Sequence, residues 1–301
     1  MRIALVTLHY KNLDDTLGLL SSLSQVEIPE ATDLSIYVVD NENSPVLKQE
    51  LSKNYPEVKL IKSQVNLGFA AGNNLGLKQA IDDGNEILVT INNDTYVERD
   101  LIRKIISSPV QDSSVGVIGG LIYFAPGFEF QKKYVKNELG KVIWYAGGKF
   151  DWDNILGSNA HVDEVDRGQF NKVENTDFVT GALFITRANV LAKVGFFDDK
   201  YFMYLEDVDL CHRMKLAGYR ILFDPRIKMW HKVAQGSSIG SSLNDYFITR
   251  NRLYFGFKFA KFRTQFALFR EAIRRLYKGT PAQKKAVLDF FTLKLGKGSY
   301  I

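Results

Sequence analysis

Five short segments of this 301-residue chain carry side chains able to do chemistry. Asn92-Asn93-Asp94 follows an apolar run. A carboxylate there can hold a divalent cation against a diphosphate, because hard oxygen ligands suit Mg²⁺ or Mn²⁺; the same tripeptide is also a common strand-ending turn. Glu206-Asp207-Val208-Asp209 packs three acids into four residues at a helix start. They can serve as N-terminal caps, with Asp209 and Arg213 as an i,i+4 pair, or supply a general base whose pKa is lifted by crowding. Trp230-His231 offers an imidazole that could join Asp94 as a second metal ligand. Gly68, Gly72 and Gly76 recur every four residues and share one helix face, which fits tight helix–sheet packing or a nucleotide laid along the backbone; they do not form a dinucleotide fingerprint. Asp40 completes the set. His9, His161 and His212 read as structural.

The elements around these residues alternate. Strands are expected at Ile3–Leu8, Leu34–Val39, Val58–Ile61 and Ile87–Ile91, and helices at 13–25, Val46–Tyr55 and Leu67–Ile81. Such alternation predicts a parallel sheet with helices on its faces. Right-handed crossovers then bring the C-terminal strand ends, with Asp40 and Asp94 just beyond them, to one ligand-binding edge. Residues 120–175 read as an irregular insertion containing a hairpin. Beyond it, Phe178–Thr186, Tyr219–Phe223 and Ile227–Trp230 are expected strands, and Ala188–Val194 and Glu206–Leu216 expected helices. Gly236–Ser242 is a Gly/Ser linker, and a boundary there separates 1–240 from a helical region over 241–301.

Composition narrows the classes. Hydrophobic residues at 46% and charged residues at 24% suit a globular chain and exclude a disordered one. A single cysteine, Cys211, excludes a disulfide framework and a cysteine-based zinc site and points to a reducing, cytoplasmic setting. The start, Met1–Lys11, turns polar after eight residues and reads as a buried strand rather than a signal peptide. No run of about 18 apolar residues is present to span a membrane. The net charge of +5 is uneven: residues 246–301 hold 13 bases and two acids, leaving a mildly acidic body. Phe255, Phe259, Phe262, Phe266, Phe269, Ile273 and Leu276 form an apolar stripe at helical spacing, expected on one helix of about six turns. The stripe could pack on the body, seal a homodimer, or lie on an anionic membrane surface. The acidic body and the lack of any nucleic-acid motif argue against a nucleic-acid partner.

Taken in order, the segments resemble glycosyltransferase family 2, and within it the bacterial rhamnosyltransferase-like members. The matching residues are Val38-Val39-Asp40-Asn41, Asn66-Leu67-Gly68-Phe69-Ala70-Ala71-Gly72-Asn73-Asn74, Asn92-Asn93-Asp94 and Thr180-Gly181-Ala182, followed by Gly195-Phe196-Phe197-Asp198, Phe202 to Leu210, Trp230-His231 and Arg250-Asn251-Arg252. The resemblance implies a GT-A fold, a Rossmann-like, mostly parallel sheet flanked by helices, here with a C-terminal helical extension. It also implies residue roles. Asp40 and Thr7 bind the pyrimidine base, Gly72 and Asn73 contact the nucleoside, and Asn66, Asn92 and Asn93 belong to the same nucleotide-binding set. Asp94 and His231 hold Mg²⁺ or Mn²⁺, Asp207 is the catalytic base with Glu206 beside it, and Gly181, Arg250 and Arg252 meet the donor or acceptor. Asn92 departs from the first Asp of the family's Asp-X-Asp motif, which thins the metal site.

The implied function is inverting, metal-assisted transfer of a sugar, L-rhamnose from dTDP-rhamnose in the leading reading. The acceptor is a glycan or polyprenyl-diphosphate-linked glycan of cell-surface or cell-wall polysaccharide synthesis. That places a cytoplasmic enzyme at the inner face of the plasma membrane as a peripheral protein. UDP-sugar donors (galactofuranosyl, glucosyl or N-acetylhexosaminyl) are the nearest alternative, and a non-catalytic nucleotide- or glycan-binding protein is the alternative from another class.

Overall fold

Strand and helix alternate through the first 91 residues: β1 (Arg2–His9), α1 (Leu13–Leu23), β2 (Asp33–Asp40), α2 (Pro45–Asn54), β3 (Lys59–Lys62), α3 (Gly68–Asp82) and β4 (Ile87–Ile91). The structure is a computed structural model, which describes residues 1–233 and 241–300. β5 (Thr95–Val97), α4 (Leu101–Ser107), β6 (Val115–Phe124), β7 (Ile143–Tyr145), β8 (Gly148–Asp151), β9 (Leu156–Asn159) and β10 (Glu174–Asn175) follow. The chain continues through β11 (Leu183–Arg187), α5 (Ala188–Val194), α6 (Glu206–Leu216), β12 (Arg220–His231), α7 (Ser242–Phe259), α8 (Phe262–Lys278) and α9 (Pro281–Phe291).

The main sheet runs β10-β12-β6-β11-β4-β1-β2-β3, with β5 added to β12 and β7 to β6. β1 is parallel to β2 and β4, and β2 to β3. β11 is antiparallel to both β4 and β6, and β12 is parallel to β6. The C-terminal ends of β1, β2, β4, β6 and β12 therefore share one rim, and so does the N-terminal start of β11. β4 and β6 are buried along their whole length, as strands covered on both faces must be.

Local chemistry sets the elements. Ser44 caps α2 by accepting from Leu47 N, with Pro45 at the first helical position. Two glycines of α3 answer steric demands. A Cβ on Gly76 would stand 2.3 Å from Val6 Cγ1 and 2.9 Å from Val39 Cγ2, so the helix lies directly on β1 and β2. Gly68 opens the helix at φ +76°, a backbone that favours glycine, and its absent Cβ would meet the Phe202 carbonyl at 2.5 Å. Gly72 likewise faces Leu8. Gly72 and Gly76 thus pack against the sheet, and Gly68 packs on Phe202.

Four expectations change. Phe178–Thr186 is not one strand: β11 begins only at Leu183, because Thr180–Ala182 turn away, Leu183 N donating to Thr180 O at 3.2 Å. Tyr219–Phe223 and Ile227–Trp230 are one strand, β12, whose register shifts between Asp224 and Lys228 around Pro225, a residue with no N–H to give the ladder. The central strand β6 extends to Phe124, into the expected irregular segment; β8 and β9 form a hairpin beyond it.

The apolar stripe does not lie on one helix. Ala260 and Lys261 are extended (ψ 158° and 152°), which ends α7 and starts α8, and Gln265 Nε2 donates to the freed carbonyls of Phe257 and Ala260. The expected linker 236–242 lies outside the described residues as far as residue 240; Ser241 caps α7, its side chain accepting from Asn244 N. Leu253, Phe255, Leu268, Ala272 and Val287 of the C-terminal helices belong to the same buried cluster as the sheet, so body and extension share a core.

Replacing Gly76 by Ala adds helix propensity of about 1 kcal/mol but forces Val6 and Val39 apart. Overpacking costs about 1–3 kcal/mol, so the expected outcome is a lower urea midpoint for Gly76→Ala, partly restored by adding Val6→Ala. A midpoint at or above that of the parent would show that α3 does not press on β1.

Candidate functional site

The rim of the sheet gathers the sequence's chemical residues through a short series of contacts. Residues 92–94 follow β4, and Asn92 N donates to Ala182 O at 3.1 Å. One residue away, Gly181 N donates to Asp207 Oδ2 at 3.0 Å, while Gly181 O accepts from Thr90 Oγ1 at 3.1 Å. The turn before β11 thus ties the end of β4 to the start of α6. On the other side, β5 pairs with β12 so that Thr95 stands opposite His231. This register places Asp94 beside the imidazole, and His231 Nε2 lies 2.9 Å from Asp94 Oδ1. Asn92 Nδ2 is 3.5 Å from the same nitrogen. The indole of Trp144 meets His231 edge-on, with ring centroids 4.5 Å apart, and fixes its plane.

The acids of α6 separate into different tasks. Asp209 is fully buried and engaged by Arg213 Nε at 2.5 Å, Lys258 Nζ at 2.7 Å and Tyr201 OH at 3.0 Å. It is a structural anchor, as the i,i+4 pairing suggested. Asp207 is half-buried and accepts from Gly181 N and from its own neighbour Val208 N at 2.8 Å. Burial lifts its carboxyl above the usual range, and the two N–H groups oppose that shift. Glu206 is lifted much further, first by burial and then by the charge of Asp207. Its Oε2 is buried with no hydrogen-bond partner. Burial and the adjacent carboxylate both favour the neutral form of Glu206 over a second charge beside Asp207.

The segment before α6 is unusual. Phe202, Tyr204 and Leu205 all have positive φ, at 66°, 69° and 71°. Such backbone costs energy and persists only where surroundings impose it. Two sources do so here. Phe202 O accepts from Phe69 N at 2.7 Å and Ala70 N at 3.2 Å, the unpaired donors at the start of α3. From α7, Asn251 Nδ2 donates to the carbonyls of Tyr201, Met203 and Tyr204 at 2.8–3.0 Å.

The nucleotide-side residues are mostly enclosed. Thr7 is buried at the end of β1 with its Oγ1 unpartnered. Asp40 is fully buried, and its oxygens accept from Glu42 N at 3.2 Å and Ser44 N at 2.7 Å. Its carboxylate therefore shapes the loop after β2 rather than presenting a free oxygen at the rim. Asn66 Oδ1 accepts from Asn41 Nδ2 at 3.0 Å and Gly68 N at 2.9 Å, and Asn41 Oδ1 accepts from Leu67 N at 2.9 Å, which fixes the entry to α3. Asn73 is buried and donates to Phe69 O. Asn93 donates to Thr16 Oγ1 at 2.9 Å, and the same hydroxyl lies 2.8 Å from His9 Nδ1.

Two expected residues stand elsewhere. The Arg250 guanidinium is fully buried and donates to Tyr201 O and to the Asn251 side chain. Arg252 donates to Asn154 O and Glu271. Both are committed to internal structure rather than to a donor or acceptor, because α7 runs through the core beside the 201–205 segment. Gly181, expected to meet the donor or acceptor, instead gives its N–H to Asp207. Sequence reasoning missed Asn251 and Phe69 as supports of the site. The missed signal was position: Asn251 lies inside the Arg-Asn-Arg match, and Phe69 opens the glycine helix.

Asp94 and His231 are directly opposed, buried and both able to bind a divalent cation. Among the described residues no group of three or more His, Cys, Asp or Glu is clustered for a metal. A one-carboxylate, one-imidazole pair fits a cation that takes its remaining oxygens from substrate phosphates.

Residues 7–195 match the family described as "Glycosyl transferase family 2". The chain is 22% identical to the low-salt glycan biosynthesis hexosyltransferase Agl10 of Haloferax volcanii, over 73% of this chain and 63% of that protein. It is 24% identical to the N-acetylglucosaminyl-diphospho-decaprenol L-rhamnosyltransferase of Mycobacterium tuberculosis, over 71% of this chain and 72% of that one. Among solved structures, GalNAc-T7 with UDP, GalNAc and Mn²⁺ superposes with a TM-score of 0.61 at 15% identity, covering 93% of this chain and 59% of its own. The chain thus spans about three fifths of the length of the Haloferax volcanii relative and of GalNAc-T7. The fold is that of the GT-A glycosyltransferases.

Removing the Asn251 side chain strips donors from three carbonyls that hold a strained segment. Asn251→Ala is expected to lower stability by about 1–3 kcal/mol, read as a shift in urea midpoint, and to expose the 201–205 amides to hydrogen exchange. Unchanged exchange there would show that the α3 contacts alone hold the segment.

Proposed function

This chain is a member of glycosyl transferase family 2 and a glycosyltransferase, and we propose that it inverts the anomeric carbon of a nucleotide-activated sugar, with L-rhamnose from dTDP-rhamnose as the donor. The observation that carries the mechanism is the Gly181 N–H to Asp207 contact at the rim, one residue from the Ala182 carbonyl that holds Asn92 N. Similarity to the mycobacterial L-rhamnosyltransferase supports L-rhamnose as the sugar and a polyprenyl-diphosphate-linked acceptor. Such an acceptor would place the enzyme at the inner face of the plasma membrane. Among the described residues no helix is long and apolar enough to cross a membrane.

In this reading Asp207 accepts the proton of an acceptor hydroxyl as that oxygen bonds to the anomeric carbon. The bond from that carbon to the diphosphate oxygen breaks, and its electron pair leaves with the nucleoside diphosphate. Attack from the face opposite the leaving group inverts the centre. Gly181 N–H and Val208 N–H aim the Asp207 carboxylate. A protonated Glu206 keeps a second negative charge away from it, so the site carries one base rather than two repelling anions. Asp94 and His231 would hold a divalent cation, which supplies positive charge to the departing diphosphate. Thr7, Asn66, Asn73, Asn92 and Asn93 form the polar floor on the nucleotide side. Asp40 contributes by fixing the loop after β2.

Asp207→Asn keeps the shape and removes the base. Transfer is expected to fall by roughly 100- to 10,000-fold, with dTDP binding unchanged by calorimetry; normal transfer by this variant removes the base assignment. A base with a raised pKa is protonated and idle at low pH. The kcat/KM of the parent is therefore expected to fall as pH drops, starting above the ordinary carboxylate value of about 4. A profile flat down to that value would contradict the assignment.

Released nucleoside diphosphate, assayed across dTDP-rhamnose and UDP-sugars, decides the donor; turnover confined to a UDP-sugar replaces rhamnose. A chelator is expected to abolish turnover and Mn²⁺ to restore it. In His231→Ala, calorimetry is expected to show weaker Mn²⁺ binding in the presence of dTDP. Full turnover in chelator would overturn the cation reading.

A further inference from the structure

The apolar stripe of the C-terminal region has a face that the fold leaves uncovered. α8 docks on α7 through Leu268 and Ala272, both buried, with Leu268 packed against Gly256. Those residues do not belong to the stripe. The stripe of α8 points about a third of a turn away, at i, i+4, i+7 and i+11: Phe262 is 81% exposed, Phe266 55%, Phe269 43% and Ile273 37%. Phe291 of α9 meets Phe269 with ring centroids 6.0 Å apart, and Leu288 is exposed on the same helix, so the patch runs across both helices. Arg263, Arg270, Arg274 and Lys278 are exposed along the flank of the stripe.

We propose that this α8–α9 face docks the protein on an anionic lipid surface, with the aromatic side chains entering the acyl boundary and the flanking bases meeting headgroup phosphates. Charge selects this occupant over a second copy of the chain. Residues 246–301 contain only two acids. Glu271 is held by Arg252 and Arg275, and Asp289 by Tyr246 and Ser299. Neither acid is available to a partner, so two copies joined through this face would set bases against bases. A surface rich in lipid phosphates is complementary to it. A helix with phenylalanines on one face and arginines beside them has the pattern of an in-plane interfacial helix. Its short length relative to a bilayer and its many charges exclude a spanning one. The inference rests on the exposed surface alone and stands apart from the choice of donor and base.

The test is flotation of the full-length protein with vesicles of phosphatidylcholine, with and without phosphatidylglycerol, in the absence of any sugar nucleotide. Binding is expected to the anionic vesicles and to weaken with added salt. Two variants separate the contributions: Phe262→Ser/Phe266→Ser/Phe269→Ser, and Arg263→Gln/Arg270→Gln/Arg274→Gln. All these side chains are exposed, so the melting midpoints should match the parent. Each variant is expected to lower the partition coefficient by roughly tenfold or more. No flotation with anionic vesicles overturns the proposal. So does equal binding to pure phosphatidylcholine, or undiminished binding by both variants. A stable dimer in light scattering that the serine variant dissociates would assign the face to a second copy instead.

Discussion

One hydrogen bond organises the chemical edge of this molecule: the Gly181 N–H donated to Asp207. A backbone donor next to a sheet would ordinarily join the ladder. Here the chain turns before β11 begins and directs that donor at a carboxylate. The same peptide segment also anchors Asn92 through the Ala182 carbonyl. One turn therefore sets the separation between the acid at the start of α6 and the polar tripeptide after β4. A carboxylate buried beside a second one is costly unless it is hydrogen-bonded or neutral. Asp207 receives N–H donors, and burial next to Asp207 favours the neutral form of Glu206.

The approach to α6 shows how strain at the site is held. Three non-glycine residues adopt positive φ within four positions, and this segment would relax if released. It is fastened to the N-terminal donors of α3 on one side and to Asn251 of α7 on the other. The glycine at the start of α3 permits the first contact, since any side chain there would strike Phe202. The second contact ties the C-terminal helices to the segment that leads into α6. This explains why Arg250 and Asn251 are fully buried, and why Leu253 and Phe255 join the main core.

The C-terminal helices thus have two faces with separate tasks. The inner face, through Asn251, Phe255, Leu268 and Ala272, stabilises the body. The outer face keeps aromatic and basic groups in solvent, against the hydrophobic effect. The break at Ala260-Lys261 creates this division. A single straight helix would have carried the whole stripe in one direction. The extended pair instead lets Phe255 turn inward while Phe262 and Phe266 turn outward.

Sequence alone determined the alternating elements through residue 91, because hydrophobic periodicity and turn residues are local signals. It also determined the family, because the ordered motifs are a one-dimensional pattern that survives without coordinates. The rim location of Asp94 followed from its strand-end position combined with the handedness of crossovers, whereas Asp207, at a helix start, and His231 were joined to it by the resemblance. Other features depended on neighbours distant in the chain. Asp40 became enclosed because the loop after β2 folds back onto its carboxylate. Arg250 and Arg252, which the resemblance assigned to the donor or acceptor, are engaged by carbonyls and by Glu271 where α7 crosses the 201–205 segment. The late start of β11 comes from the turn at Thr180–Ala182, within which the Gly181 N–H is given to Asp207, a residue 26 positions further along the chain. Periodicity reports which face of an element is apolar. Only tertiary packing decides which hydrogen-bonding groups are already satisfied, and therefore which polar side chains remain for chemistry.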